Sequence, residues 1–182
     1  PHVLPRPDDW PASFHCVGYW FLHEESHWQP STELVDFLAG DEPPFYIGFG
    51  SMTGHDPQAF TRVLLEGIRL SGKRAILLSG WAGIGNTHLP DSVLRIDGAP
   101  HEWLFPRVAL TVHHGGAGTT AASLRAGKPT LIIPHIAEQP LWGKRVEVLG
   151  VGPQAIPRNQ LTAEKLAAAV QQGMASSTMQ QN

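Results

Sequence analysis

The residues best suited to chemistry form one run, 113–120, which reads His-His-Gly-Gly-Ala-Gly-Thr-Thr. It follows an apolar segment and leads into a helical pattern. Glycine lets the backbone come close to a ligand. The free N–H groups of Ala117, Gly118 and Thr119 at the start of the helix would attract an anion. We therefore predict a diphosphate cradle, with a merely tight turn as the alternative. The run is not a P-loop, because no Gly-Lys-Ser/Thr sequence follows.

Two further polar segments follow predicted strands. Segment 48–54 departs from the dinucleotide-binding fingerprint because the third glycine is missing, but it offers the Ser51 hydroxyl as a donor. Segment 134–143 carries Glu138 and Gln139 at the start of a helix. An acid and an amide on adjacent residues can hold the vicinal hydroxyls of a sugar. Ordinary capping of that helix is an equal alternative.

The remaining reactive or aromatic residues give weaker signals. Trp81 and Trp103 fall near predicted strand ends, where an indole face can lie beside a nucleotide base. Residues 23–27, His-Glu-Glu-Ser-His, fit the HExxH pattern of zinc proteases. They lie in a proline-rich stretch that disfavours the helix such a site needs, so we favour a solvent-facing loop. Cys16 is predicted to be an inert core or surface thiol rather than a nucleophile.

Composition limits the class of protein. Of 182 residues, 42% are hydrophobic and 16% are charged, which predicts a globular domain rather than disorder. Thirteen Lys and Arg against sixteen Asp and Glu argue against bulk attraction to nucleic acid or anionic membranes. A single cysteine excludes an internal disulfide framework. Because the chain does not begin with Met, we expect it to be a piece of a longer protein.

Short apolar runs alternate with helical patterns along most of the chain. The predicted strands are 45–49, 75–78, 93–96, 109–112 and 130–133. Asp56 is predicted to cap a helix that Gly72 ends. This alternation predicts an α/β, Rossmann-like parallel sheet of about six strands with helices on both faces. The domain is expected over 31–173, after an extended aromatic arm at 1–30 and before a frayed tail at 174–182.

Several of these segments resemble the C-terminal domain of GT-B glycosyltransferases of family 1. Segment 45–52 is similar to the first strand and loop of that domain. Segments 112–120, 126–129 and 134–143 resemble its nucleotide-sugar signature. The tryptophan-rich arm resembles the interdomain stretch of sterol 3-β-glucosyltransferase-like enzymes. That branch and the bacterial antibiotic glycosyltransferases are therefore the most similar ones.

The resemblance implies half of an inverting glycosyltransferase. The C-terminal half binds the donor, while the acceptor site and the catalytic His lie in an N-terminal half, so we assign no catalytic residue here. We expect transfer of a hexose, glucose, from a UDP-sugar to a hydroxyl of a sterol, lipid or other small molecule. The isolated domain is expected to bind UDP without turnover. We expect no cofactor and no metal, because the helix start and an imidazole would stabilise the leaving diphosphate.

Individual residues carry over from the resemblance. Counting back from Gly127 and Pro129 places the diphosphate-contacting imidazole at His114 and leaves His113 as its neighbour at the strand end. The expected diphosphate contacts are His114, Gly116, Ala117, Gly118, Thr119 and Ser51. Glu138 and Gln139 are the expected contacts of the donor sugar. The expected contacts of the base and ribose are Pro100, His101, Trp103, Ser79 and Trp81.

Two positions depart from the plant members of the family. Those members stack a Trp on uracil where this chain has Gly98, and bind ribose with a Glu where it has Ala122. Base stacking must then come from another ring, and Trp81 and Trp103 are the candidates.

Other functions stay open at this point. The alternatives are a non-catalytic UDP-binding module, a dTDP-sugar-using antibiotic glycosyltransferase domain, an epimerase of similar fold and an HExxH zinc hydrolase. The expected partners are UDP or a UDP-sugar and the N-terminal acceptor-binding domain, with no nucleic acid. A lipid or membrane-associated acceptor is a further expectation. We expect a cytoplasmic location, with peripheral attachment of the full-length protein to a membrane as the alternative.

Overall fold

A computed structural model describes residues 2–21, 27–50, 56–79 and 89–182. Ser51, Trp81 and most of the HExxH segment lie outside the described residues. The strands are β1 (Phe45–Gly48), β2 (Ala75–Leu78), β3 (Val93–Ile96), β4 (Thr111–His113) and β5 (Thr130–Ile132). The helices are α1 (Thr32–Leu38), α2 (Pro57–Ser71), α3 (His101–Leu104), α4 (Ala117–Arg125), α5 (Gln139–Leu149), α6 (Ala163–Ala175) and α7 (Ser177–Gln181). Short 3-10 helices cover Phe105–Arg107 and Arg158–Gln160.

The five strands form one parallel sheet in the order β3-β2-β1-β4-β5. Ile47 in the central strand pairs with Leu77 on one side and Val112 on the other. All four residues of β1 are buried, which explains why the strand reads as a continuous apolar run rather than an alternating one. The predicted α/β fold with a parallel sheet is confirmed.

Helices cover both faces of this sheet. On one face, Ile47 packs with Leu64 of α2 and Leu166 of α6. The two helices come so close that a Cβ on Gly67 would lie 2.7 Å from Cδ2 of Leu166. On the other face, Tyr46 packs in a second core under α1 and α3. The sheet is therefore the middle layer of three, as the βα alternation predicts.

Polar side chains begin the longer helices. Asp56 Oδ1 accepts a hydrogen bond from the Ala59 N–H at 2.8 Å, and Pro57 opens α2. Gly72 ends that helix in the left-handed conformation at φ 66°. The predicted cap and stop of α2 are thus confirmed. None of the helices in the described ranges is long and apolar enough to cross a bilayer.

Three buried hydroxyls join α4 to the sheet. Ser123 of α4 hydrogen-bonds both Thr111 of β4 and Thr130 of β5, and the two threonines bond each other at 3.3 Å. Thr130 also donates to the carbonyl of Lys128 at 3.1 Å. Buried polar groups that are paired in this way define one packing geometry, because each bond has a preferred direction.

His113 ends β4 and is fully buried. Its Nδ1 accepts a hydrogen bond from the Gly115 N–H at 3.0 Å, so the ring proton is on Nε2. Burial, reinforced by the nearby imidazoles of His114 and His101, lowers the pKa of His113 to about 3. The imidazole is therefore a neutral structural part of the turn, in agreement with its predicted place beside the ligand-contacting histidine.

The aromatic arm lies across α4 and α5. Arg145 Nε donates to the carbonyl of Val3 at 2.6 Å, and the ring of Tyr19 lies 6.0 Å from the ring of Trp142. The guanidinium of Arg125 lies 4.3 Å from the centre of the Phe21 ring. Residues 2–21 contain no helix or strand. This is the extended arm that the prolines predict.

The structure departs from the sequence prediction at the sheet edge, where about six strands were expected. Residues 151–156 run beside β5, with the Ile156 N–H donating to Ile132 and the Thr130 N–H donating to Val151. Pro153 interrupts this pairing because proline has no N–H to donate. The described part of the chain therefore holds five strands rather than six.

The C-terminal residues also differ from the prediction of a frayed tail. The helix α6 continues to Ala175, and Ser176 Oγ then caps α7 by accepting from the Met179 N–H at 3.2 Å. Asn182 Nδ2 donates to the carbonyl of Gly150 at 3.2 Å. Polar residues thus cap and anchor this end rather than fray it, while the expected domain boundaries stay predictions.

Replacing Gly152 should destabilise the fold. A Cβ on Gly152 would lie 2.0 Å from the carbonyl oxygen of Thr130, a backbone atom that cannot rotate away. We expect Gly152→Ala to lower the free energy of unfolding by about 2–4 kcal/mol. Gly98→Ala is the control, since a Cβ there meets nothing within 4 Å, and should change it by less than about 0.5 kcal/mol. Urea unfolding followed by tryptophan fluorescence measures both, and equal midpoints would contradict this packing.

The buried His113 should make stability depend on pH. Between pH 6.5 and about 3, the unfolded chain binds a proton on this ring that the folded chain excludes, so stability falls as the pH falls. The expected slope from this residue is about 1.4 kcal/mol per pH unit. His113→Gln keeps an acceptor for the Gly115 N–H but cannot titrate.

Urea unfolding at several pH values between about 4.5 and 7 tests this dependence. The curve of unfolding free energy against pH should be flatter for His113→Gln than for the unmodified chain. His15→Gln, which removes an exposed imidazole of the arm, is the control and should keep the full slope. Identical slopes in all three chains would show that His113 is not excluded from protonation in the folded state.

Candidate functional site

The candidate site lies where the strand order reverses. The chain runs from β1 outward to β2 and β3, then returns to place β4 on the other side of β1. Gly48 at the end of β1 is in register with His113 at the end of β4. In open α/β sheets such a reversal is where ligands bind, in the crevice outside the carboxyl ends of the strands.

The turn between β4 and α4 depends on Gly115. Its φ is 93°, a conformation that side-chain-bearing residues rarely adopt. A Cβ here would lie 2.7 Å from Cγ2 of Ile132 and 3.2 Å from the carbonyl oxygen of Gln139. Gly115 thus lets the turn rest directly against β5 and the first residue of α5.

The start of α4 carries backbone donors that have no partner among the described residues. Gly116 is the N-cap residue and has no side chain with which to bond the first turn. The N–H groups of Ala117, Gly118 and Thr119 precede the first intrahelical donor, Thr120, which bonds Gly116. Gly118 is exposed, and a Cβ there would meet nothing within 4 Å. An anion can therefore approach three amides at the positive end of the helix dipole.

His114 lies directly beside this helix start. Its Nε2 is 2.7 Å from the position that a Cβ on Gly116 would occupy. On its other side, its Cε1 lies 3.9 Å from the corresponding position on Gly50, after β1. Burial lowers the pKa of His114, while the negative charge of Glu138 acts in the opposite direction. The imidazole therefore lies between Gly50 and Gly116, and its contact with a diphosphate stays a prediction.

The loop between β5 and α5 is held by Gln139. Its Oε1 accepts hydrogen bonds from the N–H groups of His135, at 2.7 Å, and Ile136, at 3.0 Å. Gln139 is 5% exposed, so this amide oxygen is committed to the loop. Its predicted contact with a sugar is left to the Nε2 hydrogens.

Glu138 has a different environment from its neighbour. It is exposed at the N-cap of α5, within electrostatic range of His114. The preceding residue, Ala137, has φ 52° and is the one non-glycine residue with a positive φ in the described ranges. Strained backbone of this kind is concentrated at functional sites. The carboxylate is thus exposed beside His114, and its contact with a donor sugar stays a prediction.

His135 is a residue at this site to which the sequence analysis gave no role. Its ring lies 5.3 Å from that of Phe49 and 5.8 Å from that of Phe60, and its Nδ1 donates to the carbonyl of Ile133 at 2.8 Å. Its Nε2 is buried without a partner among the described residues. Burial lowers the pKa of His135 as well. In the sequence, only the position of His135 two residues past the predicted strand 130–133 could have indicated it.

The predicted base and ribose contacts lie around the ends of β2 and β3. Pro100 is the N-cap residue of α3, and His101 stacks on Phe105 with ring centres 4.3 Å apart. Burial lowers the pKa of His101. Ser79 Oγ donates to Asp97 Oδ1 at 2.9 Å. These polar groups follow β2 and β3, on the other side of β1 from β4 and β5.

Trp103 already has two aromatic or cationic neighbours. Its ring lies 5.1 Å from that of Trp28 in the arm, and the Arg107 guanidinium lies 4.4 Å from its centre. The ring is thus engaged by the arm and by Arg107, and its stacking on a base stays a prediction. The space beside Gly98 is open, since a Cβ there meets nothing within 4 Å.

Metal ligands are not grouped within the described part of the chain. No cluster of three or more His, Cys, Asp or Glu is placed there to hold a metal ion. His23 and Glu24 of the HExxH segment lie outside the described residues, so this observation does not bear on them.

Comparison with known proteins identifies relatives of most of the chain. The family described as "Erythromycin biosynthesis protein CIII-like, C-terminal domain" matches residues 68–182. A sterol 3-beta-glucosyltransferase of Arabidopsis thaliana is 44% identical over 171 residues, which are 93% of this chain and 27% of that protein. One from Neosartorya fischeri is 44% identical over 84% of this chain and 12% of its own length. The chain therefore spans about a quarter or less of these relatives.

Solved structures agree on the fold. The glycotransferase of kitacinnamycin superposes with a TM-score of 0.70 at 23% identity, covering 88% of this chain and 41% of that one. The structure of Os79 from O. sativa in complex with UDP gives a TM-score of 0.71 at 18% identity, covering 90% and 39%. At these identities the likeness establishes the GT-B type of Rossmann-like domain.

The family match covers more than half of the chain. The fold of the chain agrees with this match. At the carboxyl end of β4 in the parallel sheet, the glycine turn, the His114 imidazole and the start of α4 follow one another. The chain belongs to the erythromycin biosynthesis protein CIII-like C-terminal domain family, the donor-binding domain of family 1 glycosyltransferases.

Proposed function

We propose that this chain binds UDP-glucose, or a closely related UDP-hexose, for transfer to a hydroxyl of a sterol or similar lipid. The relatives named above are sterol 3-beta-glucosyltransferases, and this chain matches a part of their length. The family that it matches is described as a C-terminal domain. The acceptor site and the base that deprotonates its hydroxyl belong to the N-terminal part in this proposal. The isolated chain accordingly binds the donor and does not turn it over.

One observation carries the proposal: His114 lies against the uncapped start of α4. Three amides, a helix dipole and an imidazole converge on one side of the crevice, beside the glycine loop that follows β1. These groups complement a diphosphate, and their interaction strengthens as the glycosidic bond breaks and negative charge builds on the leaving group. The proposal therefore requires no metal ion.

The remaining groups divide the rest of the donor between them. The exposed Glu138 carboxylate would accept hydroxyl groups of the hexose, and the Gln139 amide would donate from Nε2. The polar backbone around Pro100 and His101 lies on the other side of the crevice, where the nucleoside would extend. A bound diphosphate beside His114 would favour proton uptake by this ring, since an anion opposes the effect of burial on its pKa.

Nucleotide titration tests the proposed function. We expect UDP and UDP-glucose to bind the 182-residue chain with micromolar to low-millimolar dissociation constants, unchanged by EDTA. His114→Ala should weaken UDP binding by about 1.5–3 kcal/mol, the value of a hydrogen bond to a charged group. His2→Ala, an exposed histidine of the arm, is the control. Isothermal titration calorimetry measures all three chains.

The outcomes of this titration separate the candidate functions. Tighter binding of dTDP than of UDP would favour the antibiotic-type donor, and loss of binding in EDTA would overturn the metal-free proposal. Equal affinity of His114→Ala and the unmodified chain would remove His114 from the site. No binding by any nucleotide would contradict the donor-binding function of the isolated chain.

The contact between His114 and Gly116 predicts an energetic coupling. A methyl group from Gly116→Ala would collide with Nε2 of His114 and displace the imidazole from the helix start. Gly116→Ala alone should therefore weaken UDP binding about as much as His114→Ala. Adding the second substitution should cost almost nothing further, because the imidazole has already been displaced.

Calorimetry on the two single variants and the double variant completes this cycle. Gly98→Ala is the control for the loss of a glycine, since a Cβ there has open space. Additive losses in the double variant would show that Gly116 and His114 act on the nucleotide independently.

A further inference from the structure

The arm reaches the floor of the nucleotide site. Tyr19 and Ala117, the first residue of α4, both pack against one buried cluster formed by Ile132, Trp142 and Val146. The rings of Tyr19 and Trp142 are 6.0 Å apart and tilted by 35°. The same cluster thus supports the helix start from below and holds the arm in place.

The arm also contacts the far end of α4 and both neighbouring helices. Phe21 lies under the Arg125 guanidinium, at the C-terminal end of α4. The carbonyl of Val3 accepts from Arg145 of α5 at 2.6 Å, and Trp28 contacts Trp103 of α3. Contacts near both ends of one helix oppose its tilting and sliding against the sheet.

Tyr19 and Trp20 show that the arm has an inner and an outer side. The hydroxyl of Tyr19 is buried, whereas Trp20 is 88% exposed. The Tyr19 hydroxyl and the Trp142 Nε1 lack hydrogen-bond partners among the described residues. Burial of the phenol therefore comes from ring packing rather than from a polar bond, so the ring is the part of Tyr19 that fixes the arm.

We infer that Tyr19 is a positioning residue for the nucleotide: docking of its ring against Trp142 holds the first turn of α4, so that arm docking and nucleotide binding strengthen each other. The inference rests on the proposed function, since it concerns the same anion site. In this inference the arm does not contact the nucleotide itself. Docking of the arm determines the orientation of the amides at the start of α4. Coupling of this kind is reciprocal by thermodynamic necessity.

Four chains test the affinity half of the inference by calorimetry with UDP: the unmodified chain, Tyr19→Ala, Tyr19→Phe and Trp20→Ala. We expect Tyr19→Ala to weaken binding about five-fold or more, within the usual range for coupled sites. The conservative Tyr19→Phe should restore the affinity to within about two-fold, because it keeps the ring. Trp20→Ala, the outward-facing neighbour, should stay within the same limit. Thermal unfolding confirms beforehand that each chain is folded at the titration temperature.

Limited proteolysis tests the reciprocal half. Chymotrypsin cleaves after aromatic residues, and cleavage after Tyr19 requires its ring to leave the contact with Trp142. Saturating UDP should slow this cleavage in the unmodified chain by the same factor that Tyr19→Ala loses in affinity. The protection should vanish in His114→Ala, which keeps the arm but lacks the proposed nucleotide contact.

The outcomes separate this inference from the proposed function. If the unmodified chain binds UDP and Tyr19→Ala binds it equally well, the arm only packs on the domain and the inference is overturned. Unchanged cleavage of the arm in saturating UDP would overturn it too. If the unmodified chain binds no nucleotide, the proposed function fails, and this inference fails with it.

Discussion

The candidate site depends on the left-handed backbone of Gly115. Its conformation turns the chain within two residues of β4, and the missing Cβ lets this turn rest on Ile132 and on the backbone of Gln139. The N–H of Gly115 is bound by His113, which is itself buried in the sheet. Three neighbouring elements, β4, β5 and α5, are therefore brought together at one glycine. The positions of His114 and of the start of α4 follow from that contact.

Four imidazoles lie around this turn, and burial favours the neutral form of each. Burial lowers the pKa of His101, His113, His114 and His135. A neutral imidazole can donate from one nitrogen and accept at the other, whereas an imidazolium can only donate. In the proposed function the site attracts an anion mainly through fixed backbone dipoles, which need no protonation to act. The imidazoles can still take up a proton when an anionic ligand binds beside them.

Much of this arrangement follows from local sequence, and the rest depends on distant contacts. The apolar run of β1, the Asp56 cap and the glycine turn after β4 are local signals, and each predicts its element. The number of strands could not be predicted from local sequence. Whether residues 151–156 form a strand depends on their pairing with β5, which is distant in sequence and is interrupted by Pro153. The contact of Trp103 with Trp28 depends on a segment that is distant in sequence. Periodicity cannot indicate which side chain a given amide or ring will meet in the folded chain.

The hydroxyl cluster of Thr111, Ser123 and Thr130 has a consequence for the direction in which α4 points. Apolar contacts alone tolerate repacking and small rotations of a helix about its own axis. Directional bonds from Ser123 to two different strands resist such rolling. The amides at the other end of the same helix turn with it, so a roll would swing them away from the crevice. Three small polar side chains in the core thus fix the rotation of α4 and with it the direction of the amides about one to two turns away.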